Sequence, residues 1–463
     1  MNPRAFCLLP VALLLLGGLQ PTHVTATQSA TAACPVFTGE PQNPEMTLQP
    51  PGDYAWTLFA FLNTPADPNH AGQVDSNNNI CSSKLDVDTV WESWPLANLS
   101  EINERRSEVY LMGGKRPADW NAWNRPGHHS PTPGPGFTEA PDLPGFARDL
   151  IEIKTRSNGQ HTEVLPLDVR GNYEEVRINR GAYETIVSNN LYNAEGIRDA
   201  IRCARQRHKF EFVEFPATAK EIKASWLRLC DEHTDVTTCA GLKARYHWRT
   251  IQEGAQSVVV GLAALHIMTK DIHDNWYWAD FVHQDCIEPG SAGLCSEYGS
   301  NYQSNIQKMK TSSAPQWAQG SSTPWKYYRL NGTETSFTDA TGNEGGYLAN
   351  RTLELGAAKS SCITCHGYAS ASVKINGQLG KNSSSPTGIM SQSHPVQTGA
   401  PDCKVFNNAF LNNCTRINPL KQSYYRSGFD WSMIIRAHSI HEKLPTESAD
   451  NPRVTPLAHR ATP

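Results

Sequence analysis

The 463-residue chain lacks the motifs of several large functional classes. It contains no G-x-G-x-x-G after a predicted strand and no P-loop, so nucleotide binding has no support. It contains neither H-E-x-x-H nor G-x-S-x-G, which leaves zinc-protease and serine-hydrolase activity equally unsupported. No internal repeat of useful length is found. The chemistry must therefore be sought in other residues, above all in the cysteines and histidines.

Strongly charged segments and long apolar runs are also missing. The formal net charge of −4 becomes about −5 once the amino-terminal segment with Arg4 is removed, and no block of like charge stands out. Nucleic acid and anionic membrane surfaces are therefore poor partner candidates. Beyond the amino terminus, no stretch approaches eighteen consecutive apolar residues, so we predict no membrane span.

The amino terminus has the pattern of a secretory signal peptide. Arg4 gives it a positive start, residues 5–19 form a short apolar core, and the small residues near Ala26 suit cleavage. We therefore predict a signal peptide over residues 1–26 and a mature chain that is periplasmic.

The strongest motif is the Cys-Ile-Thr-Cys-His run at residues 362–366, which is typical of c-type haem attachment. Cys362 and Cys365 lie one helical turn apart, where each thiol can form a thioether with one haem vinyl group. His366 follows directly and can bind the iron as proximal ligand. A Cys-x-x-Cys redox pair and half of a zinc site are the alternatives, but the strand–helix–strand context and the second ligand pair that they need are not evident. We predict one covalent haem c.

The second axial ligand would decide between electron transfer and small-molecule chemistry, because an open sixth position can bind oxygen, peroxide or substrate. Met390 lies in a downstream loop, as the methionine of small cytochromes does, and Met433 lies in a predicted terminal helix. A histidine such as His394 or His438 could equally bind the iron, or the sixth position could have no protein ligand at all.

Two upstream histidines are candidate catalytic residues with an acid–base role. His266 continues the apolar face of a predicted helix, and His283 ends an aromatic run at residues 276–283. Each also has a simpler interpretation: His266 as a hydrogen-bonded core residue, and His283 in an ordinary polar contact with Asp285.

Nine cysteines remain after the signal peptide and the haem motif are subtracted from the 12 in the chain. Neighbouring cysteines in an exported protein are candidate disulfides that close short loops. We predict the pairs Cys230–Cys239, Cys286–Cys295 and Cys403–Cys414, with Cys34–Cys81 as a weaker fourth pair. Cys203 is left over, which means either a buried thiol or an error in this pairing.

The predicted fold is α+β, mostly helical and loop-rich. Helices are expected over residues 54–63, 183–193, 219–230 and 250–271, and strands over residues 149–155 and 209–215. Residues 27–346 would form an α+β body with a pocket or docking region. Residues 347–463 would form a cytochrome c-like helical haem-binding region.

Six short motifs carry a resemblance to a known group of proteins. In chain order they are YAWTLFAFLN, VWESW, IKASW, GLAALHI, WYWADFVHQD and SCITCHG. This pattern resembles large bacterial "cytochrome c family" proteins, which are exported and carry one haem c. The resemblance implies export, one haem and a shared architecture, but no particular reaction. Residues 376–422 form a longer stretch than is usual in the group.

Chain length favours more than simple electron carriage, since a carrier cytochrome needs roughly a hundred residues. About 320 residues precede the haem segment here. The first interpretation is a periplasmic haem c oxidoreductase that uses peroxide or oxygen, with a small-molecule substrate in the upstream pocket. The alternatives are an electron-transfer subunit that docks a redox partner protein, and a haem-based sensor or envelope-complex component.

Overall fold

The computed structural model describes residues 33–41, 51–82, 87–97, 107–124, 172–253, 256–271, 276–286, 314–320, 322–337, 348, 350, 361–373, 379–381, 424–437 and 439–441. All structural statements below concern these residues. The helices are α1 (Pro51–Leu62), α2 (Arg180–Ser188), α3 (Ala194–Gln206), α4 (Val236–Lys243), α5 (Gln316–Gln319), α6 (Cys362–Gly367) and α7 (Trp431–Arg436). Single-turn 3₁₀ helices cover Trp91–Ser93, Met112–Gly114, Trp120–Trp123, Gln284–Cys286 and Pro324–Tyr327.

A six-stranded antiparallel sheet forms the centre of the described fold. Its strands are β1 (Asn172–Ile178), β2 (Lys220–Cys230), β3 (Trp248–Glu253), β4 (Gln256–Thr269), β5 (Tyr277–His283) and β6 (Tyr328–Glu334). The order is β1-β2-β4-β5-β6, and β3 pairs with one end of β4. A smaller sheet has the order β8-β7-β9 and contains β7 (Ser370–Val373), β8 (Leu379–Lys381) and β9 (Tyr425–Arg426).

This sheet shows that the mostly helical fold class was wrong. The two longest predicted helices, over residues 219–230 and 250–271, are the strands β2, β3 and β4. Both faces of β4 are buried, so its apolar residues are nearly continuous, and such a run cannot be told from a buried helix by periodicity alone. Its Val-Val-Val start at residues 258–260 is a β-branched signal that favours a strand. In the described part of 347–463, two six-residue helices accompany three short strands, so this region is not simply helical either.

Other predicted elements had mixed outcomes. The helix over 54–63 is confirmed as α1, and the helix over 183–193 corresponds in part to α2. Residues 209–215 form no strand and contribute a single bridge between Glu211 and Arg426. The strand predicted at 149–155 lies outside the described residues. None of the described helices is both long and apolar enough to span a bilayer.

Two predicted disulfides are present. Cys230 and Cys239 have Cα atoms 5.7 Å apart, and the Cα atoms of Cys34 and Cys81 are 6.1 Å apart. Cys286 and Cys203 are also disulfide-bonded. Cys203 is therefore not a free thiol, which means that the pairing that left it over contains an error.

The two faces of the large sheet differ in chemistry. Side chains alternate along a strand, so Trp278 and Asp280 of β5 lie on one face, and Tyr277 and Phe281 on the other. The Phe281 face is aromatic: its ring centroid is 4.9 Å from that of Trp56 and 4.4 Å from that of Phe59, both in α1. Helix α1 packs against this face of the sheet, and together they form part of the hydrophobic core.

The opposite face is more polar and supports the segment that carries the Cys-x-x-Cys-His motif. Cross-strand pairing places Lys223, His266, Asp280, Trp278 and Glu334 on it. The helices α6 and α7 lie against this face, as the contacts described below show. The sheet therefore separates an aromatic core from the candidate site.

Candidate functional site around α6

Helix α6 is fixed at its amino terminus by two side chains. Ser361 is the N-cap, and its hydroxyl oxygen accepts a hydrogen bond from the Thr364 amide at 3.4 Å. Glu334 extends from β6, and its Oε2 accepts from the Ser361 hydroxyl at 3.0 Å and from the Ile363 amide at 2.8 Å. A carboxylate at the positive end of a helix is electrostatically favourable. The sheet thus holds the haem-type motif directly.

His366 is oriented by a backbone carbonyl. Its Nδ1 lies 2.7 Å from the carbonyl oxygen of Phe429, and because a carbonyl can only accept, Nδ1 carries the proton. The Nε2 lone pair is then available to a metal, in the arrangement that metal-binding histidines commonly have. Burial lowers the pKa of His366 to about 4, so the ring is neutral.

The carbonyl that orients His366 belongs to a tight turn over residues 427–430. Gly428 and Phe429 both have positive φ, +61° and +70°, and the Asp430 amide donates to the Ser427 carbonyl at 3.3 Å. Positive φ at both central positions is the signature of a type I′ turn. The indole of Trp276, the residue before β5, donates to the Gly428 carbonyl at 2.7 Å and so holds the turn beside the large sheet.

The two motif cysteines are thiols. Every other cysteine in the described part of the chain is disulfide-bonded, whereas Cys362 and Cys365 form no disulfide. The carbonyl of Cys365 accepts a 2.9 Å hydrogen bond from the indole of Trp431, so α7 also fixes the motif. Two thiols one turn apart and an adjacent histidine with an available Nε2 fit the ligand set of a covalent haem c.

His266 lies near this motif and is held by a buried carboxylate. Its Nε2 lies 2.8 Å from Oδ1 of Asp280. Oδ1 of Asp280 accepts a hydrogen bond from the Asn350 side-chain amide at 2.7 Å, and Oδ2 accepts one from the Asn331 side-chain amide at 2.6 Å. The candidate acid–base residue is thus oriented on the face that supports α6.

His283 lies on the opposite face and is a core residue. Its Nε2–H donates to the Arg245 carbonyl at 3.2 Å, and its Nδ1 accepts from the Asp285 amide at 3.2 Å. Its ring stacks on Tyr246 with centroids 3.7 Å apart. The two histidines are therefore not brought together, and the polar contact with Asp285 describes His283 better than a catalytic role.

Of the four predicted candidates for the distal haem ligand, the structure describes Met433 alone. Met433 is fully buried in α7, whose segment binds the Nδ1 side of His366 and the Cys365 carbonyl. Met433 as distal ligand stays a prediction. Met390, His394 and His438 lie outside the described residues.

Sequence reasoning missed three contributors to the site: Glu334, Trp278 and the Phe429 carbonyl. Trp278 belongs to the aromatic run, but its ring lies 5.8 Å from that of His366 only because β5 pairs with β4 and β6. The Ser-Gly pair at residues 427–428 is a turn signal, although it does not reveal that the turn reaches His366.

Comparisons with known proteins do not assign the chain to a family. No family model, no curated protein and no solved structure matches the chain. The resemblance to single-haem cytochrome c family proteins therefore stays a prediction. Within the described ranges, no group of three or more His, Cys, Asp or Glu side chains is arranged to bind a metal ion.

Proposed function

We propose that the chain is an exported redox protein with a single covalent haem c. The observation that carries this proposal is the 2.7 Å hydrogen bond from His366 Nδ1 to the Phe429 carbonyl, next to the thiols of Cys362 and Cys365. An imidazole that is oriented by a carbonyl and directly follows two thiols on one helical turn is the donor set that covalent haem attachment requires. The disulfides support the exported, oxidising location.

Three residues would hold the group. Cys362 and Cys365 would form the thioethers, and His366 would bind iron through Nε2. When bound, haem c supplies a one-electron couple at its iron. The chain's own contribution is to orient the imidazole through Phe429, to cap the attachment helix through Glu334, and to shield both with the sheet.

Within this class we propose an oxidoreductase rather than a simple carrier. A carrier needs no buried histidine with an orienting carboxylate, yet His266 is held by Asp280 on the face that supports α6. His266 would hold or move a proton during the reaction. Peroxide- or oxygen-dependent oxidation of a small molecule is the proposed reaction class. Electron transfer to a partner protein is the competing outcome of the test below.

The first experiment is expression with haem maturation, followed by denaturing gel electrophoresis and haem staining. The wild type should retain haem covalently, and the Cys362→Ser/Cys365→Ser variant should lose it because no thioether can form. A matched control is Cys230→Ser/Cys239→Ser, which removes two cysteines away from the motif and should retain the haem. Absence of covalent haem from the wild type would refute the proposed function.

The visible spectrum then separates the two outcomes. A high-spin ferric spectrum that changes with carbon monoxide after reduction would support the oxidoreductase. His266→Gln should then reduce peroxide- or oxygen-dependent turnover, while His283→Gln on the other face should not change the haem spectrum. A low-spin spectrum with a methionine-to-iron band and no response to carbon monoxide would instead establish an electron-transfer cytochrome.

A further inference from the structure

A buried histidine away from α6 has one ring nitrogen without a partner. His247 comes directly before β3 and is only 2% exposed. Its Nε2 lies 3.1 Å from Oε2 of Glu92, a carboxylate that is fully buried. Its Nδ1 has no hydrogen-bond partner among the described residues, yet this atom is not sealed from solvent. The ring therefore has a polar atom to offer beyond the contacts of the fold.

The contact with Glu92 determines which nitrogen of His247 carries the proton. Oε2 of Glu92 also accepts from the Thr89 amide and hydroxyl, both at 2.8 Å, and from the Arg249 guanidinium at 2.5 Å. Burial raises the pKa of Glu92, but Arg249 and His247 outweigh burial and hold that pKa below its ordinary value, so the carboxylate is ionised. A carboxylate can only accept, so Nε2 of His247 carries the proton and Nδ1 has the lone pair. Burial also lowers the pKa of His247, which keeps the ring neutral at neutral pH.

Two indoles hold the imidazole in this orientation. The ring centroid of His247 lies 5.0 Å from that of Trp325 and 5.8 Å from that of Trp226. Trp325 in turn lies 5.5 Å from Phe59 of α1, so His247 is on the aromatic side of the large sheet, opposite α6. An acceptor fixed by a carboxylate and two aromatic rings is preorganised to bind a donor.

His247 helps to line an open cleft of about 250 Å³. Pockets for drug-sized ligands have about 300–1,000 Å³, so this cleft suits a smaller molecule. No charged side chain is among the described residues that line it, and a charged ligand would therefore lose its hydration without gaining a partner. Apart from His247, the walls include one hydroxyl and four apolar side chains: Ser82, Pro65, Ile80, Val87 and Trp325.

We propose that this cleft, the His247 site, binds a small neutral molecule of the phenol or alcohol class, whose hydroxyl group donates to Nδ1 of His247. The apolar walls would cover the body of the molecule. The hydrogen bond from Nε2 to Glu92 would make Nδ1 a better acceptor, because linked hydrogen bonds polarise one another. The His247 site goes beyond the proposed function and does not depend on haem.

Isothermal titration calorimetry of the purified protein with phenol tests this proposal. The informative variant is His247→Gln, because the glutamine amide can still donate to Glu92 but offers no acceptor in place of Nδ1. We expect one equivalent of phenol to bind the wild type, and the affinity to fall about tenfold in His247→Gln through the loss of one hydrogen bond. Toluene has a similar shape without the hydroxyl group, so it should bind both proteins equally.

The matched control is His283→Gln. His283 is a buried histidine on the same side of the sheet, but both of its ring nitrogens are already hydrogen-bonded, so this change should leave the phenol affinity unchanged. Val87→Phe fills the cleft and should abolish phenol binding, which decides the outcome if His247→Gln does not fold.

Two results would overturn the proposal and assign Nδ1 to a water molecule. One is a wild-type protein that does not bind phenol. The other is wild-type phenol affinity in a folded His247→Gln or Val87→Phe variant. Neither result involves the haem, so each leaves the proposed function to be tested by the covalent haem stain alone.

Discussion

At the scale of single residues, the backbone of Phe429 has a conformation unusual for a residue with a side chain. Its φ of +70° lies in the left-handed region, which costs roughly 1–2 kcal/mol for a residue other than glycine. The ring is buried against Trp278, with centroids 5.8 Å apart, and this packing offsets the cost. The conformation directs the Phe429 carbonyl to His366, so the strain lies where the proposed ligand is oriented.

Gly428, the preceding residue, gives a prediction at this scale. A Cβ at this position would lie 3.1 Å from the Val213 carbonyl oxygen, and φ is +61°. We expect Gly428→Ala to lower the free energy of unfolding by about 1–3 kcal/mol in urea titrations. The variant should also alter the haem spectrum, because the turn orients His366.

Gly241 is the matched control for this substitution. It lies within α4, and a Cβ there meets no atom within 4 Å. Gly241→Ala should leave stability unchanged or raise it by up to about 1 kcal/mol, as is usual for an exposed helix position. Equal effects of the two substitutions would contradict the role assigned to the turn.

At the scale of elements, β4 and β5 explain why the sequence predicted the wrong fold class. The motif at 362–366 is a local pattern with its own chemistry, so it is readable without the fold. The apolar run of β4 is compatible with helix or strand, and only the pairing of β4 with β2, β3 and β5 determines which forms. The Phe429 carbonyl is 63 positions from His366, and no local pattern connects the two.

Helix α4 is joined to the large sheet by a disulfide. None of its side chains is buried, and the Cys230–Cys239 disulfide joins it to the end of β2. A closed loop of this length stabilises a protein by about 2–3 kcal/mol in the chain-entropy account. We expect Cys230→Ser/Cys239→Ser to lose that amount in urea unfolding while its haem content stays at the wild-type level. A loss of haem in this variant would mean that α4 affects the site.

At the scale of the whole molecule, buried histidines predict a loss of stability in acid. Burial lowers the pKa of His283 to about 3, below its ordinary value of 6.5. Between these values the unfolded chain binds a proton that the folded chain does not, so this contribution to stability falls as the pH falls from about 6.5 to about 3. Each pH unit in that window costs about 1.4 kcal/mol.

His283→Gln tests this prediction. The substitution should destabilise the protein at pH 7.5 by removing the ring that stacks on Tyr246. It should also reduce the loss of unfolding free energy between pH 7.5 and 5.5 by about 1.4 kcal/mol relative to the wild type. Urea titrations at the two pH values measure the difference. An identical pH dependence in both proteins would show that His283 becomes protonated in the folded state.

The covered position of α6 also has a consequence for the order of maturation. Ser361 and Ile363 are almost completely buried, Cys362 and Cys365 are half-buried, and Trp431 and the 427–430 turn bind the motif from the other side. Under the proposed function, the enzyme that attaches the haem needs free access to both sulfurs and to the vinyl groups that they attack. Such access is greatest while the polypeptide around residue 366 is still open. Haem attachment would then come first, and residues 427–436 would pack over the attached haem last. After that step the attachment enzyme could no longer reach the two sulfurs.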